Sequence, residues 1–398
     1  MTGTALAPNS PVSSAEMPVL DQVRLEEVNR RKALLCNYLQ MKGYDSLLIQ
    51  DPANFSWLTC GGDNTRKGNA TPVAAALVTP EARVILCSNI DSGQIFDRDL
   101  MGLGFLLKER PWTEDLSVLW QDVCRGRRTA ADTWFPGTEN VAVDLLPFRL
   151  QFGPKELEHF RLLGRDVTHA VEATARNFEV GSTEAEIAGH LAHRLIKHQI
   201  QPVQMQVMAD AQGWRYRHWA YGNDRVERHC VIAAVGRRHG LHVGVTRTVC
   251  LGAPSDELQN VHRLASIVQA TGLFFTQDGW KMEETWKRVS RIYEKFGIPD
   301  EWRCAEQAHL IGYHASESTL LPTSKQTFQK QTAIYWHPSV RSSLVGDTML
   351  IGDGINEIIT PSTNWPVISV QVKGETIERP SLLIREVSMG RIDDSRTL

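Results

Sequence analysis

The pattern of apolar and polar positions predicts a β-hairpin between residues 229 and 252. Its first half, residues 230–235, is a short apolar run that ends before a turn containing Gly240. Its second half, residues 243–251, alternates and is rich in β-branched side chains, which favour strands. The segment Gly-Val-Thr-Arg-Thr-Val at residues 244–249 is the most distinctive phrase in the sequence.

The first 150 residues alternate predicted strands with predicted helices, a pattern typical of an α/β domain. An amphipathic helix over residues 20–42 ends at Gly43, the residue type favoured just after a helix. Asp51 and Pro52 mark the start of a second helix. Further helices are predicted at 92–97 and 115–124, and strands at 46–50, 72–78, 83–87, 104–107 and 141–145.

The order of predicted elements changes after residue 150. Pro154 suits the first turn of a long helix, and Thr183 with Glu186 forms a capping-box pair ahead of another. The hairpin follows, and after it come two helices at 256–269 and 282–296 and a β-rich remainder at 307–377. Helix pairs that alternate with strand pairs predict an α+β domain with two αα-β halves.

A chain of 398 residues is long enough for two domains, each with its own core. We expect domains at 19–150 and 151–385, a disordered N-terminal tail at 1–18 that is rich in Ala, Pro, Ser and Thr, and a short C-terminal tail at 386–398.

Composition excludes several classes of partner. The net charge of −3 supplies no basic field for nucleic acid, and no apolar run approaches the roughly 18 residues that span a bilayer. The seven cysteines never form a Cys-x-x-Cys pair, which favours reduced thiols and predicts a cytoplasmic protein. All thirteen histidines lie beyond residue 150, so any imidazole chemistry belongs to the second domain.

Several motifs in the correct order resemble the "pita-bread" superfamily of methionine aminopeptidase, aminopeptidase P, prolidase and creatinase, the M24-like peptidases. In the first domain they are the helix ending at Gly43 and the phrase at residues 51–54 that leads to Trp57. In the second they are the segment at 178–195 and the strand phrase Thr-Arg-Thr at 246–248. The resemblance covers residues 20–377 and implies a creatinase-type N-terminal domain followed by a pita-bread domain.

Active members of this superfamily hold two metal ions with two Asp, one His and two Glu, because adjacent cations need several carboxylates to offset their charge. At the matching positions this chain has Ala234 and Gly244 for the two Asp, and His309 for the His. His337 and Gly346 stand in place of the two Glu. The resemblance therefore implies that no family-type two-metal centre forms, and we expect no metal cofactor.

The positions that contact substrate are retained in part. The resemblance places His218 at a catalytic histidine and Arg247 at the arginine of the Thr-Arg-Thr strand. We predict His218 and His309 as catalytic residues, and Arg247, Trp219 and His314 as substrate-binding residues. The alternative for Arg247 is a core ion pair.

Other chemistry stays open at the level of sequence. His309 and His337, with His218 nearby, would suit a single divalent ion. Cys304, just upstream of His309, is a candidate thiol nucleophile. A basic group in the hairpin is suited to an anionic ligand or is a solvated turn, and consists of Arg237, Arg238, His239 and His242.

The leading functional hypothesis is therefore a metal-independent or inactive relative of aminopeptidase P and creatinase, a pseudoenzyme that binds a peptide or small molecule in the family cleft. One alternative is an active hydrolase with a mononuclear metal site, and another is a protein-interaction module. The resemblance also implies a homodimer.

Overall fold

The computed structural model describes residues 20–67, 69–210 and 212–386. These described residues divide into two compact units, the first within 20–155 together with 238–241, the second within 156–237 and 242–386. The tails predicted at 1–18 and 386–398 lie outside the described residues, except for Glu386.

The first unit contains a six-stranded mixed sheet with the order β4-β3-β2-β1-β5-β6. Its strands are β1 (Ser46–Ile49), β2 (Ala74–Val78), β3 (Arg83–Ser88), β4 (Leu106–Arg110), β5 (Thr129–Ala131) and β6 (Thr138–Asn140). Its helices are α1 (Gln22–Lys42), α2 (Pro52–Leu58), α3 (Leu116–Cys124), α4 (Ala142–Leu150) and a π-helical segment (Gly93–Asp99).

The helix ends in this unit follow the predicted local signals. Gly43 adopts the left-handed conformation with φ of 71° and closes α1 through backbone bonds to Gln40 and Leu39. The Asp51 side chain accepts hydrogen bonds from the amides of Ala53 and Asn54, which satisfies the free N–H groups at the start of α2.

The strand predicted at residues 141–145 is wrong, because this segment opens helix α4. The Asn140 side chain accepts a hydrogen bond from the Ala142 amide at the start of the helix. Val141, Leu145 and Phe148 recur at helical spacing, and Phe148 packs against the rings of Tyr38 and Trp57. The short alternation of Val and Ala favoured a strand, but this tertiary packing favours the helix.

The second unit holds the remaining helices. Pro154 is the first residue of α5, and the predicted capping box of Thr183 and Glu186 begins α6. These helices are α5 (Pro154–Asn177), α6 (Glu184–Lys197), α7 (Gln212–Arg215), α8 (Asp256–Phe275), α9 (Met282–Lys295) and a 3-10 helix (Glu301–Cys304).

Two sheets of the second unit carry the residues of interest. The first has the order β19-β9-β8-β7 and contains the predicted hairpin, and the second has the order β11-β10-β12-β15-β16. The backbone amide of Thr246 bonds to the Gly346 carbonyl at 2.9 Å, which links the hairpin to the start of β15.

The remaining strands, numbered in chain order, lie in the second unit, except that Arg238 of β8 and Leu241 of β9 belong to the first. They are β7 (Gln201–Ala209), β8 (His229–Arg238), β9 (Leu241–Leu251), β10 (Ala308–Ile311), β11 (Ser318–Thr319), β12 (Thr332–Trp336), β13 (Ser339–Val340), β14 (Ser343–Leu344), β15 (Asp347–Ile351), β16 (Glu357–Ile358), β17 (Val367–Val372), β18 (Glu375–Pro380) and β19 (Leu383–Arg385).

Among the described residues, every helix is too short or too polar to cross a membrane. All seven cysteines are free thiols, and Cys304 is the exposed one.

Candidate functional site

A small cavity in the second unit collects most of the predicted site residues. Its volume is about 50 Å³, enough for a few water-sized groups, since one water needs about 10–15 Å³. We call it the His cavity. It is lined by Gln204, Gln206, Arg217, His218, Ala233, Ala234, Val235, Ala305, Glu306, His309, Tyr335, His337 and Leu344.

The register of β10 and β12 places two histidines side by side. The strands pair antiparallel with His309 opposite Tyr335, and the His337 amide bonds to the Gln307 carbonyl at 2.9 Å. Nε2 of His337 therefore lies 3.1 Å from Nδ1 of His309, within hydrogen-bond distance. The Tyr335 ring stacks on the His337 ring, with 4.6 Å between their centroids.

Both imidazoles are neutral near pH 7. Burial lowers the pKa of His309 to about 4. Burial also lowers the pKa of His337 well below its usual value, and the nearby His309 and His218 add to that effect. In a neutral pair, one of the two facing nitrogens carries the proton and donates a hydrogen bond to the other.

Glu306 stands beside this pair, and the sequence analysis did not select it. Its Oε2 lies 3.9 Å from Nδ1 of His309, and its side chain is about half exposed. One ligand atom from each of Glu306, His309 and His337 lies within 4.8 Å of the other two. The sequence feature that could have identified Glu306 is its position three residues before His309, a candidate ligand.

Tyr335 fills the space beside two of the lost ligand positions. A Cβ on Gly244 would lie 2.6–2.7 Å from three carbons of the Tyr335 ring. A Cβ on Gly346 would lie 2.5 Å from Oγ1 of Thr246 and 2.7 Å from Oη of Tyr335. Both separations are too short for real contacts, so neither position accommodates a carboxylate side chain in this packing.

The side chains therefore do not fit the two-metal centre of active superfamily members. Ala234, Gly244 and Gly346 offer no donor atom, and Tyr335 is held in place by its hydroxyl contact of 3.0 Å to Thr246. The carboxylate next to Gly346, Asp347, is engaged with Arg247 and Arg379.

Arg247 lies in the core and does not line the His cavity. Its Nε donates to Glu172 at 3.1 Å and its NH1 donates to Asp347 at 3.0 Å, and its side chain has no exposed surface. This position favours the core ion pair over the substrate-binding role predicted for Arg247.

His218 lines the His cavity, but Trp219 and His314 are not among its lining residues. Nε1 of Trp219 donates to Glu184 at 2.7 Å, and its ring packs on the apolar cluster that contains Met208. The backbone amide of His314 donates to Glu317 at 2.9 Å. Trp219 thus helps to hold the segment that carries His218.

The other sequence candidates lie apart from the cavity lining. Cys304 is exposed at the end of the 3-10 helix and is not a lining residue. In the basic group of the hairpin, His242 is buried with Nδ1 3.0 Å from the Gly312 carbonyl. Arg237 donates to the Gln201 side chain at 3.2 Å.

Arg217 is a lining residue that the sequence analysis missed. Its guanidinium donates to Glu301 at 2.7 Å and to the Ser339 hydroxyl at 2.9 Å. Its position directly before His218, a predicted site residue, could have identified it from the sequence. Because Glu301 offsets its charge, Arg217 does not leave an unpaired cation at the cavity wall.

Comparison with known proteins agrees with this architecture. The sequence profile of metallopeptidase family M24 matches residues 158–355. A search of curated proteins finds no match.

Three similar solved structures illustrate the range of relatives. The prolidase from Pyrococcus horikoshii OT3 superposes with a TM-score of 0.73 at 14% identity, covering 84% of this chain and 99% of its own. The X-Pro aminopeptidase from Thermotoga maritima MSB8 gives 0.70 at 15% identity, covering 89% and 100%. The N-terminal domain of the FACT complex subunit SPT16 from Cicer arietinum (chickpea) gives 0.62 at 13% identity, covering 85% and 96%.

These likenesses confirm the predicted fold class, an α/β domain followed by an α+β pita-bread domain. At such low identity they show the fold and do not transfer an activity.

Proposed function

From the premise that the chain belongs to the M24 metallopeptidase superfamily, we propose that it is a member without two-metal peptide hydrolysis. It uses the His cavity to bind a small molecule or one end of a peptide.

The observation that carries this proposal is the position of Tyr335. A two-metal centre needs carboxylates at positions 244 and 346, and a Cβ at either position would lie 2.6–2.7 Å from the ring or the hydroxyl of Tyr335, too close for a real contact. Thr348 fixes the backbone beside them, because its hydroxyl bonds both the amide and the carbonyl of Gly244 at 3.0 and 2.8 Å. Substitution at position 244 alone therefore does not recreate the centre.

The cavity suits a small polar group. His218 is exposed at its wall, and the paired imidazoles of His309 and His337 are neutral donors and acceptors. A volume of about 50 Å³ is large enough for a carboxylate or an amide group but too small for a whole dipeptide.

The metal and activity test uses purified full-length chain supplied with Mn²⁺, Co²⁺ or Zn²⁺. We expect no hydrolysis of Ala-Pro or creatine and fewer than two bound ions per chain by elemental analysis. Two bound ions together with metal-dependent turnover would overturn the proposal. Ligand binding is measured by calorimetry with the same two compounds, and a binding heat that disappears in His218→Ala supports the cavity as the site.

The packing around Tyr335 gives a stability test. Gly244→Asp and Gly346→Glu should each lower the free energy of unfolding by about 1–3 kcal/mol, because each side chain overpacks a filled core. The matched control is Gly189→Ala in α6, where a Cβ meets nothing within 4 Å. This control should raise stability by about 0.5–1 kcal/mol, since alanine favours a helix interior. Urea denaturation measures all three, and a neutral Gly244→Asp variant would contradict the role given to Tyr335.

A protein-interaction role is the second candidate. The same fold occurs in the N-terminal domain of a FACT complex subunit. Exposed aromatic side chains near His218 offer a contact surface, namely Trp214, Tyr216 and Tyr221. We also propose that the protein is a homodimer and that it acts in the cytoplasm. Light scattering of the purified chain measures the oligomeric state.

A further inference from the structure

We infer that Glu306, His309 and His337 form a binding site for one divalent transition-metal ion. This inference goes beyond the proposed function, which requires only that the two-metal centre is absent. A single ion in this place uses a carboxylate, Glu306, that does not belong to the lost ligand positions.

The distances between donor atoms suit a shared ion. Two nitrogens bound to zinc at about 2.0–2.1 Å with tetrahedral angles lie roughly 3.3 Å apart. Nε2 of His337 and Nδ1 of His309 are 3.1 Å apart, and Oε2 of Glu306 is 3.9 Å from Nδ1. An ion in this place would displace the proton that the two imidazoles share.

The strand framework holds the two nitrogens without an ion. His309 lies within β10, and His337 directly follows β12, so the pairing of the two strands fixes their rings. The Tyr335 ring stacked on His337 restricts that ring further. Binding therefore requires only a rotation of Glu306, an exposed side chain without another ion-pair partner among the described residues.

The donor types select the class of ion. Two imidazoles and one carboxylate are the set used for zinc and for other first-row divalent metals. Mg²⁺ and Ca²⁺ prefer oxygen ligands, so they bind here more weakly. Remaining coordination positions would face the His cavity, on whose wall His218 is exposed.

Local charge does not oppose a cation. The guanidinium of Arg217, the cation on the cavity wall, is paired with Glu301 at 2.7 Å. The Glu306 carboxylate supplies one negative charge that a divalent ion offsets.

The test uses the full chain, stripped with a chelator and then titrated with Zn²⁺ or Co²⁺. We expect one ion per chain by elemental analysis after desalting, and visible Co²⁺ absorption typical of nitrogen ligation. Glu306→Gln should weaken the affinity about tenfold or more, and His337→Gln should abolish stoichiometric binding. His193→Ala changes an exposed histidine on α6 and should leave the affinity unchanged.

Glu306→Gln keeps the test decisive if His337→Gln fails to fold, because the Glu306 side chain is exposed. No bound ion in the parent chain would overturn this inference and leave the proposed function standing. Binding that survives in Glu306→Gln and His337→Gln alike would also overturn it, as would a dependence on His193. Two ions per chain would overturn this inference together with the proposed function.

Discussion

At the scale of single residues, Tyr335 determines which side chains the site can accommodate. Its side chain contributes to the His cavity, stacks on His337 and lies against the positions of two lost ligands. A sequence shows that glycine replaces a carboxylate at 244 and 346. It does not show that an aromatic ring from another strand fills the space thus released.

Arg247 gives a residue-scale prediction. Arg247→Met should lower the free energy of unfolding by about 3 kcal/mol or more, because it leaves the buried carboxylates of Glu172 and Asp347 without this partner. Arg161→Met is the matched control, since its ion pair with Glu357 is exposed and should contribute about 1 kcal/mol or less. Urea denaturation compares the two variants. Equal losses, with ligand binding removed only in Arg247→Met, would instead support the predicted substrate role.

At the scale of elements, the site depends on how separate segments are brought together. The pairing of β10 with β12 joins His309 to His337, which lie 28 positions apart in the sequence. The segment after α7 supplies His218, and it is held by the start of α6 through Glu184. Capping and turn signals predicted where these elements begin, but not which of them would meet.

Glu184 gives an element-scale prediction. Its buried carboxylate accepts hydrogen bonds from the Ala209 amide at 2.8 Å, the Trp219 indole at 2.7 Å and the Gly222 amide at 2.6 Å. Glu184→Gln replaces one acceptor oxygen with a donor, so it should cost about 1–3 kcal/mol. It should also speed hydrogen exchange at Ala209 and Gly222.

The control for this variant is Glu186→Ala, two residues along the same helix. It removes the Glu186 half of the capping box with Thr183 and should loosen only the first turn of α6, without faster exchange at Gly222. Equal exchange at Gly222 in both variants would show that Glu184 does not hold the segment carrying His218.

At the scale of the whole molecule, titratable groups are divided unequally between the two units. Of thirteen histidines, all except His239 belong to the second unit, which leaves twelve there. Burial lowers the pKa of His262 and of His309 to about 4 each. In the first unit, burial raises the pKa of Asp132 to about 6.

These shifts predict that the buried histidines and Asp132 make opposite contributions to stability as the pH falls. Each buried histidine binds its proton more readily when unfolded, so the second unit loses stability as the pH falls from about 6.5 towards 4. Each such group contributes up to about 1.4 kcal/mol per pH unit in that window. Asp132 binds its proton more readily when folded, so its contribution to the first unit rises as the pH falls from about 6 towards 4.

Hydrogen-exchange protection factors at pH 7 and pH 5 measure both responses, with peptides from α8 for the second unit and from α2 for the first. His262→Gln should flatten the pH dependence in the second unit. Earlier loss of protection in the first unit would contradict this prediction.

The sequence by itself determined the order of elements, the caps at Gly43 and Thr183, the pita-bread ancestry and the absence of four of the expected carboxylate ligands. These features are local, because backbone conformation and donor chemistry are properties of single residues and their near neighbours. The tertiary structure alone decided that Tyr335 fills the vacated space, that Arg247 lies in a core ion pair and that Glu306 joins the two histidines. Contacts of this kind depend on strand register and on packing between distant segments, which residue types along the chain do not specify.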